Sequence, residues 1–126
     1  MKRAITTSKA PQALGPYRQA ISAGTFVFCS GQVPLDPETG ELVPGDIGEQ
    51  TKRVIENLRA VLAAAGAGLE HVVKTTVFLT DLGDFATMNR VYGDFFGQTP
   101  PARSTVEVSA LPKGARIEVE AVAIRG

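Results

Sequence analysis

Arg116-Ile117-Glu118-Val119-Glu120-Ala121-Val122-Ala123-Ile124 reads as a β-strand with two unlike faces. Side chains alternate across a strand, so Ile117, Val119, Ala121 and Ala123 line up as one unbroken apolar face. The other face carries Arg116, Glu118, Glu120, Val122 and Ile124. The first face calls for a cover of apolar helices. The second is half charged and half apolar, a mixture that predicts a sheet face packed against another protein surface.

Working upstream, Leu111-Pro112-Lys113-Gly114 supplies a turn, and residues 103–110 alternate as a second strand straight after Pro100-Pro101. Pro101 biases residue 100 away from the helical region, so the chain enters this strand extended. Two helices come earlier. Asp46 and Glu49 form an Asp-x-x-Glu capping signal, and Ile47, Thr51, Val54, Leu58, Val61 and Ala65 follow at helical spacing. Gly66 ends the run, which predicts a helix over 46–65. Asp84 is placed to cap a second helix whose apolar face is Phe85, Met88, Tyr92, Phe95 and Phe96, up to Gly97. Between the helices, residues 71–80 are dense in β-branched side chains and predict a long strand, with Val72 and Phe78 sharing a face with Lys74 and Thr76. A turn-rich lead over 10–16 enters a short strand near 17–21, paired as a hairpin with 25–30. The order β-β-α-β-α-β-β gives an α+β class, a single mixed or antiparallel sheet with both helices on one face.

The chain has 126 residues, read as one domain over 1–126. A domain of this size buries roughly two-thirds of its unfolded surface and needs no disulfide or metal to hold it together. Thirteen basic and thirteen acidic residues cancel, and there is no Lys/Arg run, so nucleic acid is not an expected partner. Cys29 is the single cysteine and can form no intrachain disulfide. The N-terminal basic residues have no apolar run behind them, unlike a secretory signal, and no stretch approaches the ~20 apolar residues of a membrane-spanning helix. The expected location is the cytoplasm, with no membrane association. One histidine, His71, and one cysteine assemble no metal spacing, and neither a metal nor another cofactor is expected. His71, just before an apolar strand, reads as a surface or hydrogen-bonded side chain.

The residues equipped for chemistry lie mostly in the closing segment. Arg103 presents a rigid fork that matches a carboxylate, and it equally suits a surface position or an ion pair with a glutamate. Glu118 and Glu120, spaced by two, share a strand face; a carboxylate in a partly closed pocket can move protons, while alternating glutamates also mark a solvated face. The arginine and the glutamates are expected on neighbouring strands, as the parts of a site for a small organic acid. Tyr17, Ser30, Gly31 and Asn89 are weaker candidates taken singly. Cys29 reads as a small buried hydrophobe.

Together these segments resemble the reactive-intermediate deaminase (RidA/YjgF) family. The resemblance runs through Gly15-Pro16-Tyr17, Ser30-Gly31-Gln32-Val33-Pro34, Val73-Lys74-Thr75-Thr76-Val77-Phe78, Asp84-Phe85-Ala86-Thr87-Met88-Asn89, Pro101-Ala102-Arg103-Ser104 and Ile117-Glu118-Val119-Glu120. It implies a chorismate-mutase-like fold, a homotrimer with clefts between subunits on the uncovered sheet faces, and hydrolysis of imine acids such as 2-iminopropanoate and 2-iminobutanoate to keto acids and ammonia. Arg103 would hold the substrate carboxylate and Glu118 would activate water, with Tyr17, Ser30, Gly31 and Asn89 lining the cleft. Thr105 stands where many relatives have cysteine, and would alter ligand contacts more than the hydrolysis.

Overall fold

The alternating strand 116–124 is the centre of a six-stranded sheet. The structure, a computed structural model, describes residues 1–125. Its strands are β1 (Lys2–Ile5), β2 (Ala20–Ala23), β3 (Phe26–Gln32), β4 (Val72–Leu79), β5 (Ala102–Glu107) and β6 (Ile117–Ile124), with helices α1 (Ile47–Ala64) and α2 (Phe85–Phe96). Their order across the sheet is β1-β2-β3-β6-β4-β5. All neighbours are antiparallel except β4 and β5, so the sheet is mixed. The parallel pair needs a long crossover, and α2 supplies it.

The helix expected over 46–65 forms as α1. The Asp46 carboxylate accepts the Glu49 N–H at 3.1 Å, satisfying one of the free donors of the first turn. At the other end Gly66 takes a left-handed φ of 78° and the Ala67 N–H bonds back to the Leu62 carbonyl at 2.9 Å. Arg125 adds a hydrogen bond to the Ala65 carbonyl at 3.0 Å. Val54, Ile55, Leu58, Val61 and Leu62 of α1 and Met88, Tyr92 and Phe96 of α2 are buried with Val27, Val77, Val119, Ala121 and Ala123 of the sheet. Both helices therefore cover one face. Phe26, Phe28, Val106 and Ile124 stand exposed on the other.

Several expectations shift. The strand expected near 17–21 lies at Ala20–Ala23, leaving Tyr17 in the preceding loop. The strand expected over 103–110 closes at Glu107. Strand β1 has no counterpart in the sequence reading, because three of its four residues are exposed and it has no alternation to detect. The turn at 111–114 is a short 3-10 turn, Pro112–Gly114. Asp84 sits at the start of α2 but donates no cap; its two carboxylate oxygens accept from Arg116 Nη2, each at 2.9 Å. Phe85 is exposed, not core.

Two irregularities break strict alternation. On β4 the register passes from Val72 opposite Ala123 to Lys74 opposite Val122, so Val73 is an extra residue. Val72 consequently faces the core and does not share the face of Lys74, Thr76 and Phe78. On β3 the register passes from Cys29 opposite Ala121 to Gln32 opposite Val119. Ser30 and Gly31 together oppose the single residue Glu120.

A buried amide anchors the loop after β3. Asn57 of α1 is fully buried; its Nδ2 donates to the Val33 carbonyl at 3.2 Å and the Leu35 carbonyl at 2.9 Å, and its Oδ1 accepts from Arg53 at 3.1 Å. Asn57→Ala leaves both carbonyls without this donor and is expected to lower the unfolding free energy by about 2–4 kcal/mol, read as a shifted urea midpoint at constant slope.

Candidate active site

Glu118 projects from β6 on the uncovered face, two residues from Glu120 on the same side. A cleft of about 520 Å³ opens beside it, with Tyr17, Ser30, Gly31, Glu118 and Glu120 in its walls. The fold holds these residues through a buried glutamine. Gln19 Oε1 accepts the Thr7 N–H at 2.7 Å, and its Nε2 donates to the Pro11 carbonyl at 2.8 Å, which pins the N-terminal lead along the cleft. The Tyr17 hydroxyl accepts the Leu14 N–H at 3.2 Å. Ser30 donates its N–H to the Gln19 carbonyl at 3.0 Å and its hydroxyl to the Arg18 carbonyl at 2.6 Å. Gly31 leaves the Glu118 carboxylate its place, since a Cβ there would overlap it and displace it.

Half-burial of Glu118 raises its pKa above the ordinary carboxylate range, and the charge of Glu120 raises it further. Removing the like charge reverses the second cause. In Glu120→Gln the Glu118 pKa is expected to fall back toward the ordinary value, observed by carboxyl-carbon NMR titration; an unmoved or raised value would count against the coupling.

Arg103 occupies a different place. Its register partner on β4 is Thr75, a core-facing residue, so its side chain leaves the sheet on the helix-covered side. The guanidinium lies 4.9 Å from the ring centre of Tyr92 and 5.6 Å from that of Phe85, with Nη1 4.0 Å from Met88 Sδ. Tyr92 is fixed in turn by a 2.6 Å hydrogen bond with the Thr75 hydroxyl. Among the described residues no carboxylate oxygen lies within 4.0 Å of Arg103, so the ion-pair role is not the one it fills within its own chain. Asn89 shares the helix stripe of Phe85, Met88 and Tyr92, and Thr105 shares the strand face of Arg103. Asn89 Oδ1 and Thr105 Oγ1 are both buried without a hydrogen-bond partner.

The expected residues thus fall into two groups. Tyr17, Ser30, Gly31 and Glu118 meet on the uncovered face; Arg103, Asn89 and Thr105 gather at the covered edge. The expectation that Arg103 and Glu118 sit on neighbouring strands is wrong, because β4 lies between β5 and β6. The expectation that both lie on the uncovered face is wrong for Arg103. The cause is the parallel crossover through α2, which sets β5 at the sheet edge and sends the chain back past β4 to form β6. Sequence reading also missed Gln19, which is buried, and the seat of Arg103, whose Met88 and Tyr92 looked like ordinary core.

The remaining candidates are structural. His71 Nδ1 accepts the Gly68 N–H at 2.9 Å. Cys29 is buried, which pushes its thiol up to about 12 and leaves it unreactive. Among the described residues no group of three or more His, Cys, Asp and Glu could hold a metal ion, and no helix is long and apolar enough to cross a membrane.

With this geometry in hand, comparison with known proteins is direct. The chain belongs to the family described as Endoribonuclease L-PSP, whose model matches residues 7–125. It is 60% identical over 124 residues to a RutC family protein of Pyrococcus abyssi, spanning 98% of both chains. It is 48% identical over 126 residues to the Homo sapiens 2-iminobutanoate/2-iminopropanoate deaminase, spanning 100% of this chain and 92% of that one. The crystal structure of Escherichia coli TdcF with bound serine superposes with a TM-score of 0.94 at 46% identity, covering 98% of this chain and 99% of that chain.

Proposed function

We propose that this protein hydrolyses imines of small 2-amino acids, 2-iminopropanoate and 2-iminobutanoate foremost, to the 2-keto acid and ammonia. The observation that carries the reading is an arginine held between aromatic rings with no counter-ion among the described residues of its own chain, beside two buried acceptors without partners. Such a seat is complementary to a carboxylate with a hydrogen-bearing nitrogen on the next carbon. TdcF holds serine, which has that arrangement, and the human relative carries the deaminase name.

The two groups of residues leave opposite faces of one sheet, so a site containing both requires two copies of the chain. Arg103, Asn89 and Thr105 of one copy meet Tyr17, Ser30, Gly31 and Glu118 of the next. The contacts are heterologous, and closure into a homotrimer satisfies every copy. The exposed Phe26, Phe28 and Ile124 of the uncovered face supply the apolar area for such an assembly.

The chemistry follows from the parts. Arg103 grips the carboxylate and fixes the imine carbon. Glu118 takes a proton from water as the water oxygen bonds to that carbon and the C=N electron pair moves to nitrogen. The same carboxyl then returns the proton to the amine nitrogen; as the C–N bond breaks, the hydroxyl oxygen forms C=O and gives its own proton back to Glu118, and the keto acid and ammonia leave. Its raised pKa makes the carboxylate a stronger base than usual, which favours the first transfer, the proton taken from water. A protonated imine is already a strong electrophile, so orientation and partial exclusion of water supply what the reaction lacks. A pure carboxylate binder has no use for Glu118, whose charge repels the ligand. A phosphodiester is no better served, since Glu118 and Glu120 offset Lys113 of the same cleft and the neighbouring copy's Arg103, leaving no surplus of positive charge.

Arg103→Ala and Glu118→Ala are each expected to abolish keto-acid release in an assay coupled to a serine dehydratase. Co-assembled one to one, the two variants should recover about a quarter of the wild-type rate, the share of sites that pair two intact halves in a ring. An inactive mixture, with mixed assemblies demonstrated by tag pull-down, would rule out the shared site.

A further inference from the structure

Within one copy, before a neighbour's Arg103, Asn89 and Thr105 are brought to it, the cleft beside Glu118 is larger than a three- or four-carbon imino acid requires. Its volume of about 520 Å³ lies in the range of pockets that enclose drug-sized ligands. Besides Glu118 and Glu120, its walls include the apolar Leu14, Val33 and Leu35 and one cation, Lys113. Lys113 is the only residue other than glycine with a positive φ among the described residues, at 58°. A left-handed backbone at a residue that carries a side chain is strained, and strain of this kind concentrates where a side chain must be aimed. Glycine would hold this turn at less cost, as Gly114 does next to it with a φ of 73°.

The ammonium of Lys113 is also underused. Its one hydrogen bond within the chain is to the Gly40 carbonyl, at 3.2 Å and exposed. No carboxylate oxygen lies within 4.0 Å of it among the described residues. A cation in the wall of the same cleft, with no carboxylate oxygen of the described residues within 4.0 Å, is placed for an anion brought by the ligand.

We propose that Lys113 determines specificity by receiving the distal carboxylate of imino dicarboxylic acids, compounds of the 2-iminoglutarate class. The inference rests on the deaminase reading and names a second substrate class for the same site. The reaction is unchanged, since water adds across C=N and ammonia leaves while the distal carboxylate keeps its atoms and charge. The methylene units of the side chain lie against Leu14, Val33 and Leu35.

The test uses imines generated in situ by amino-acid oxidases from alanine, leucine and glutamate, with catalysed hydrolysis measured against semicarbazide trapping. The readout is the ratio of kcat/KM for the glutamate-derived imine to that for the leucine-derived imine, two side chains of similar length that differ in charge. In Lys113→Ala this ratio is expected to fall about tenfold, the size of one partly exposed charge contact. Lys113→Gly, which relieves the backbone strain and guards against a folding defect, should show the same fall. Lys113→Arg should restore most of it. Hydrolysis of the alanine-derived imine with the same ratio in all four proteins would overturn this inference alone. Failure of the wild type to accelerate any of the three imines would overturn the deaminase reading, and this inference with it.

Discussion

Both helices pack on one face of the sheet, and a pleated strand sends successive side chains to opposite faces. From these two constraints most of the molecule follows. Val119 and Ala121 of β6 complete the core because α1 lies over them, and Glu118 and Glu120 are turned away for the same reason. On β5 the alternation aims Arg103 under α2, where Tyr92, Phe85 and Met88 hold it. A single copy therefore carries the Arg103 group and the Glu118 group on opposite faces and cannot bring them together. Association between copies, in this reading, is part of the catalytic design as well as a way to cover apolar surface.

Placement of Glu118 depends on smaller features layered on that plan. The extra residue at Ser30 and Gly31 opens the ladder opposite Glu120 and brings an unsubstituted α-carbon against the Glu118 carboxylate. Gln19 and Asn57, two buried amides, each bind backbone carbonyls of segments that border the cleft. Their donors serve loop backbone that has no ladder of its own. A polar group buried in this way costs free energy unless satisfied, and here each satisfies the segment that must stay in place.

Local signals were legible in the sequence. The Asp46 cap, the helical stripe to Ala65 and the left-handed Gly66 are features of adjacent residues, and α1 starts and stops where they say. The two-faced reading of residues 116–124 also carried through, because the pleat needs no knowledge of the partner strand. The family resemblance singled out Arg103 and Glu118 as candidates, but their relation in space was not legible. Whether β5 pairs with β6 or with β4 is decided by the crossover and by packing far along the chain, and no local pattern of 103–110 records it. The extra residue at Val73 inverted the face of Val72 for a similar reason, since a bulge is a property of two strands. Asn57 lay hidden in a helix whose exposed face also carries polar side chains.

The sheet is open, and its two outer strands meet the problem that openness creates. An edge presents unpaired N–H and C=O groups, a template on which a strand from another molecule can add without limit. β1 is only four residues long, and Lys2 and Arg3 place consecutive exposed cations along it. A second β1 approaching in register would bring like charges together. At the opposite edge Pro100 and Pro101, just before β5, remove two amide donors where an added strand would begin to pair. The protein can thus carry an exposed apolar sheet face while its edges resist growth into fibrous aggregates.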